Sequence, residues 1–165
     1  MAFIALGIAV VLVLIDQLLK MVIVNTVKID GGFSFLGDFV NIIYVENKGV
    51  AFGLMENFRW LFVIVTGVII FFLIAYLIKY KPKSKMLIIS IGMIVGGGIG
   101  NLIDRIFLGY VVDYIQLAIF PPVCNFADYC VTIGVALLAV YIVFRSDFFS
   151  DDKDKNKKKL ADKNG

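Results

Sequence analysis

Four long apolar runs constrain this chain more than any other feature of it. They cover residues 3–24, 59–79, 86–104 and 127–145, each close to the roughly 20 residues that a helix needs to cross a bilayer core. Backbone N–H and C=O groups find no water in hydrocarbon, so runs of this length must satisfy them internally, as helices. The expected architecture is a mainly α membrane protein: four transmembrane helices with a small extracytoplasmic β-sheet. Composition agrees, since a 61% hydrophobic, 18% charged chain with mean hydropathy +0.94 lies far outside the soluble globular range. The first run resembles a cleavable leader only in position. It has no basic start, carries Asp16 and Lys20 and lacks a small-residue cleavage site, so it is expected to stay in the protein.

Charge sets the expected orientation. The connection between the second and third runs holds Lys79, Lys81, Lys83 and Lys85 and no acid, and the chain beyond the fourth run begins with Arg145 and becomes lysine-rich. Basic loops stay in the cytoplasm, which puts both termini there and residues 25–58 and 105–126 outside. Within the first outer segment, residues 39–45 (FVNIIYV) read as a short strand. Residues 1–147 are expected to form one four-helix domain. Residues 148–165, dense in both charges and nearly free of apolar side chains, read as a disordered cytoplasmic tail that touches anionic lipid through its lysines.

The chain contains no histidine, which excludes Ser/His or Cys/His nucleophilic catalysis and any imidazole metal site. Cys124 and Cys130 lack metal-ligand spacing and read as buried free thiols. Carboxylates therefore draw attention, and residues 111–128 place Asp113 and Asp128 at the edge of an apolar protein. They meet only if the chain reverses between them, a turn that Pro121 and Pro122 would favour. Taken singly, Asp113 reads as a solvated loop carboxylate. Asp128 reads as a first-turn acid of a helix capped by Asn125, stabilised by about 0.3–1 kcal/mol.

Other polar residues cluster at the same outer end. Asp16 and Lys20, four apart, share a helical face and can pair within the membrane. Gly92, Gly96 and Gly100 form a ridge of period four against which a helix can approach closely, and Gly97, Asn101 and Arg105 form a second stripe beside it. Structural roles exist for each of these: an interhelical hydrogen bond for Asn101, snorkelling for Arg105, and local charge balance for Asp104 beside it. Asn47, Gly49 and Gly53 suit a turn leading into the second span.

Taken together, residues 16–20 (DQLLK), 47–53 (NKGVAFG), 96–105 (GGGIGNLIDR), 111–115 (VVDYI) and 125–128 (NFAD) resemble the lipoprotein signal peptidase (signal peptidase II) family, in that family's order and over most of the chain. The resemblance implies an intramembrane aspartic endopeptidase of the bacterial cell membrane. Its substrates would be diacylglyceryl-modified prolipoproteins, cut just before the lipidated cysteine near the extracytoplasmic face. Carried over by position, Asp113 and Asp128 are the catalytic pair, Asn47, Gly49, Asn101, Arg105 and Asn125 support substrate and pair, and Asp16 and Lys20 brace the site. No cofactor, metal or nucleic acid is implied; the partners are prolipoprotein and membrane lipid, and the protein is expected to act as a monomer. Gln116 and Tyr129 depart from the family pattern beside the two acidic motifs. The alternative from another class is a non-enzymatic membrane transport or assembly protein. Only Asp16 lies well inside a span, so no relay of acids crosses the bilayer.

Overall fold

Each of the apolar runs is a helix in the computed structural model, which describes residues 2–49 and 59–144. Helix α1 (Ala2–Asn25) continues into a one-turn α2 (Val27–Asp30); the other spans are α3 (Arg59–Tyr80), α4 (Lys85–Phe107) and α5 (Phe126–Phe144). All four are long and apolar enough to cross a membrane. The protein is therefore a multi-pass membrane protein.

The glycines of α4 decide how the spans pack. Two-thirds of its apolar window is buried against less than a fifth in the other spans, so α4 is the central helix and the others turn most of their surface to lipid. The expected ridge is occupied by α1. A Cβ added at Gly92 would lie 2.9 Å from the Ala5 carbonyl oxygen, one at Gly96 would lie 3.0 Å from Ala9, and one at Gly100 would lie 2.6 Å from Asp16 Oδ2. The neighbouring stripe receives α5, with Gly97 against the Ala127 carbonyl and Gly134 of α5 against Ile94 of α4. Without a hydrophobic drive between helices in lipid, such backbone approach is what gives the bundle its dispersion energy. Gly97→Ala would force a methyl into the Ala127 carbonyl, and small-to-large changes of this kind cost about 1–3 kcal/mol. A lower unfolding temperature in detergent is expected; an unchanged one would contradict this packing.

At the other end of the lysine loop's helix, α4 stops at a sharp turn. Leu108 and Gly109 N–H both donate to the Asp104 carbonyl, and Gly109 adopts φ +89, which a side chain would resist. Arg59 at the start of α3 donates to the Ile106 carbonyl at 2.7 Å and so caps this end of α4. The turn feeds a four-stranded antiparallel sheet in the order β1 (Phe33–Phe35), β2 (Val40–Asn47), β3 (Val111–Leu117), β4 (Phe120–Cys124). The strand expected at residues 39–45 runs on to Asn47, because a bulge between Ile42 and Val45 lets β2 stay paired with β3 as far as Val111. Ile23, Val27, Val112 and Tyr114 form the apolar joint between sheet and bundle.

One expectation fails. The reversal between Asp113 and Asp128 is made by Ala118 and Ile119, not by the prolines. Pro121 and Pro122 lie within the edge strand β4, at the register shift between the Leu117–Phe120 and Gln116–Val123 pairs, where neither has a partner on β3 and their missing N–H groups break no ladder bond. Residues 50–58 and 145–165 lie outside the described part, and with them Gly53, the C-terminal end of the fourth run and the tail. Cys130 is buried, whereas Cys124 is only half-buried, and both are free thiols.

Candidate active site

Every residue that the resemblance assigns to the site comes to the sheet end of the bundle. Asp113 lies on β3 opposite Val45 of β2, so Asn47, two residues further along β2, is its diagonal neighbour on the same face. Asn47 Nδ2 donates to Asp113 Oδ2 at 2.8 Å, and Asn125 Nδ2 donates to Asp113 Oδ1 at 2.6 Å. Asn125 is also the N-cap of α5, as expected: its Oδ1 accepts from Asp128 N at 2.9 Å, and Asp128 Oδ2 accepts from Asn125 N at 3.1 Å. This reciprocal box satisfies two orphan donors of the helix start. A single buried asparagine thus touches both carboxyl groups. Asn101 of α4 completes the ring by accepting from Asn125 at 3.1 Å and donating to Asp128 Oδ1 at 2.8 Å.

The polarity of these amides is forced. An asparagine presents one accepting and one donating end. Asn47 Oδ1 is held by Gly49 N–H at 3.1 Å, Asn125 Oδ1 by Asp128 N–H, and Asn101 Oδ1 by Lys20 and Asn125. With each carbonyl end engaged by a donor, each NH₂ must face a carboxyl oxygen. All four carboxyl oxygens of the pair therefore accept one N–H and keep lone-pair capacity for a proton or water.

Lys20 stands behind this ring. Its three donors go to Asp16 Oδ2 at 2.8 Å, Asp104 Oδ2 at 2.9 Å and Asn101 Oδ1 at 3.1 Å, all buried. Asp16 Oδ1 in turn accepts from Ala127 N at 3.1 Å, which ties α1 to the first turn of α5. Asp104 corrects the sequence reading. It makes no direct ion pair with Arg105, although its charge still acts on the guanidinium, and is buried against α1, pairing with Lys20 and accepting from Gln17 Nε2 and from Val112 N of β3 at 3.0 Å. Gln17, also missed, donates to Asp16, Asp104 and the Gly100 carbonyl. Arg105 touches neither carboxyl of the pair directly; it donates to the Asn101 carbonyl at 3.3 Å and sits over the Phe62 ring.

Asp113 is outside the spans and nearly inaccessible, and its acidity reflects that. Burial pushes its carboxyl up to about 6; the Asp128 carboxylate pushes the same way, and the Asn47 and Asn125 donors and the Lys20 charge pull it down. Burial likewise raises the neighbouring Tyr114 phenol and Cys124 thiol. Among the described residues no three acidic or thiol side chains gather as a metal cradle. Where Asp16 and Asp104 approach each other, Lys20 already supplies the cation.

Comparison with known proteins gives one answer. The model of the signal peptidase (SPase) II family matches residues 8–144. The lipoprotein signal peptidase of Halothermothrix orenii is 42% identical over 132 residues, covering 80% of this chain and 90% of that protein. That of Clostridium acetobutylicum is 36% identical over 139 residues, with 82% and 90% covered. Two solved structures, both described as a bacterial membrane enzyme determined by the in meso method, share the fold. The one at 2.3 Å resolution has TM-score 0.78, 34% identity and coverage of 86% of this chain and 88% of that one. The one at 1.9 Å has TM-score 0.76, 35% identity and coverage of 84% and 91%. A family match across nearly all described residues, relatives of this identity and the same fold leave one assignment: the chain belongs to the signal peptidase II family and is a membrane peptidase.

Proposed function

We propose that this protein removes signal peptides from diacylglyceryl-modified prolipoproteins, cutting before the lipidated cysteine, with Asp113 and Asp128 as the catalytic pair acting on water. The observation that carries the reading is the single buried residue Asn125 where sheet and bundle meet, whose side-chain amide donates to the Asp113 carboxyl and whose backbone N–H donates to the Asp128 carboxyl. Two carboxyls sharing one site do not both ionise cheaply, so the pair holds one proton between them. Asp113, the acid pushed up to about 6, carries that proton. Asp128 takes a proton from water as the oxygen adds to the scissile carbonyl, and the Asp113 O–H donates to the carbonyl oxygen. The resulting tetrahedral diol collapses when the leaving nitrogen is protonated and the C–N bond breaks, restoring one shared proton. No covalent enzyme intermediate is needed.

The surrounding groups hold this arrangement. Asn47, Asn101 and Asn125 aim fixed N–H donors at the pair, Gly49 holds Asn47, Arg105 grips the backbone at Asn101, and Asp16 and Lys20 brace the ring from α1. The lysine loop faces the cytoplasm and the acids lie near the outer surface, the depth of the scissile bond in a membrane-anchored precursor. Residues 1–147 act as a monomer, with the substrate's acyl chains against the lipid-facing helices.

Purified protein incubated with a precursor, with and without its diacylglyceryl group, tests this. Mass analysis should show a product beginning at the lipidated cysteine, and far slower cleavage of the unlipidated precursor. No cleavage, or cleavage at another bond, contradicts the proposal.

A pH prediction follows from the same pair. Since activity needs the shared proton, kcat/KM should fall as pH rises through about 6, where Asp113 ionises in the free enzyme. Asn47 donates to Asp113 and so favours its charged form; Asn47→Ala removes that donor, raises the pKa of Asp113 further and moves the alkaline limb to higher pH. A limb that stays in place or moves down contradicts the assignment.

A further inference from the structure

The opposite end of the bundle holds a second polar concavity that the reaction does not use. It is a cavity of 570 Å³ lined by Tyr76 and Tyr80 of α3, Lys81, Lys83 and Ser84 of the connecting loop, and Tyr141 of α5. From this we propose that the cavity binds a phosphate group, either the phosphodiester of an anionic phospholipid headgroup or free phosphate.

The lining matches that chemistry in three independent ways. First, Lys81 and Lys83 supply two positive charges, and no acid pairs with either among the described residues. Second, Ser84 is the N-cap of the 23-residue α4, its Oγ accepting from Leu87 N. The other first-turn N–H groups of α4 lack intrahelical acceptors, and they bring the positive end of the helix dipole to the cavity edge. Third, tyrosines concentrate at the depth of lipid headgroups, and three of them line this cavity at the ends of two spans. The loop that carries the lysines is held in place. Lys81 N–H donates to the Leu77 carbonyl at 3.1 Å, and Lys81 adopts φ +43, a conformation kept only where the surroundings impose it. A volume of this size is ordinary for a small-molecule site and ample for a headgroup.

A diffuse basic loop would attract anionic lipid without any site, so the test must separate the two. Lys79 and Lys85 carry equal charge on the same connection but do not line the cavity. Full-length protein, its Lys81→Gln/Lys83→Gln variant and its Lys79→Gln/Lys85→Gln variant are prepared in mixed phosphatidylglycerol and phosphatidylcholine nanodiscs. Phosphatidylglycerol retained after extraction into uncharged detergent is then counted by native mass spectrometry. Wild type and the Lys79/Lys85 variant should keep it, and the Lys81/Lys83 variant should keep it roughly thirtyfold less, the loss expected for two lysines near an anionic surface. In a second arm, inorganic phosphate is added to delipidated protein and thermal unfolding is followed. A stabilisation by phosphate lost only in the Lys81/Lys83 variant identifies free phosphate as a ligand; retention of phosphatidylglycerol without a phosphate response identifies the lipid. Equal losses in the two variants, or neither retention nor a phosphate response in wild type, overturns the proposal. All four substitutions lie outside the candidate active site, so cleavage of detergent-solubilised precursor should stay at the wild-type rate.

Discussion

Lys20→Met is expected to destabilise the protein by about 3–5 kcal/mol and to slow cleavage in whatever remains folded, because one ammonium group serves two purposes. Its first purpose is compensation. Asp16 and Asp104 are both buried and both bonded to Lys20 Nζ, at 2.8 and 2.9 Å, so its removal leaves two uncompensated carboxylates in the bundle. Its second purpose is orientation. Lys20 can only donate, and by donating to Asn101 Oδ1 it fixes which end of that amide faces Asp128. A freed amide can turn over and set its oxygen against the carboxylate, a misplacement that costs on the order of 10²-fold in rate. The two purposes separate in a triple variant, Lys20→Met with Asp16→Asn and Asp104→Asn, which removes the stranded charges but not the freedom of Asn101. Thermal unfolding should return toward wild type while kcat stays low. A single Lys20→Met variant as stable as wild type would contradict the ion-pair account, and full recovery of kcat in the triple variant would reduce Lys20 to a structural residue.

The spans, the ridge and the N-cap were legible in the sequence because each follows from local rules, hydrocarbon thickness, helical periodicity and capping chemistry, whereas Asn47 and Asp113 of the ring stood out through the family resemblance. What the sequence did not carry depends on which surfaces meet. Asp104 stands beside Arg105 in sequence, yet successive residues on a helix point about 100° apart, so adjacency does not make a pair. The fourfold spacing from Gly96 and Gly100 put Asp104 on the face turned to α1, and that signal could have led to Lys20. Gln17 had no such pattern, and its three bonds exist only once α1 and α4 have docked. The prolines misled in another way. Fixed φ and a missing N–H suit a turn, but they equally suit an edge strand, and only the sheet order distinguishes the two. The amide polarities were beyond reach of the sequence, since each is set by a donor from another element.

Asp113 also links stability to pH, with a definite sign. Its folded-state value, about 6, lies above the ordinary 3.8, so the folded protein binds this proton more tightly than the unfolded chain. The contribution is fully present below about pH 4 and is lost as pH rises through about 6. Neutralising Asp113 therefore need not unfold the protein at neutral pH. That matters for the experiment on which the account rests.

That experiment is the rate of precursor cleavage by wild type, Asp113→Asn, Asp128→Asn and the double variant, each first shown to unfold cooperatively near the wild-type temperature. If the two acids share one proton and act as a unit, each single variant should lose at least about 10²–10⁴-fold, the range for a positioned acid or base. The double variant should be no slower than the worse single one, since removing either partner already disables the pair. Cleavage near the wild-type rate by either folded single variant, or losses that multiply in the double variant, would contradict a carboxyl pair.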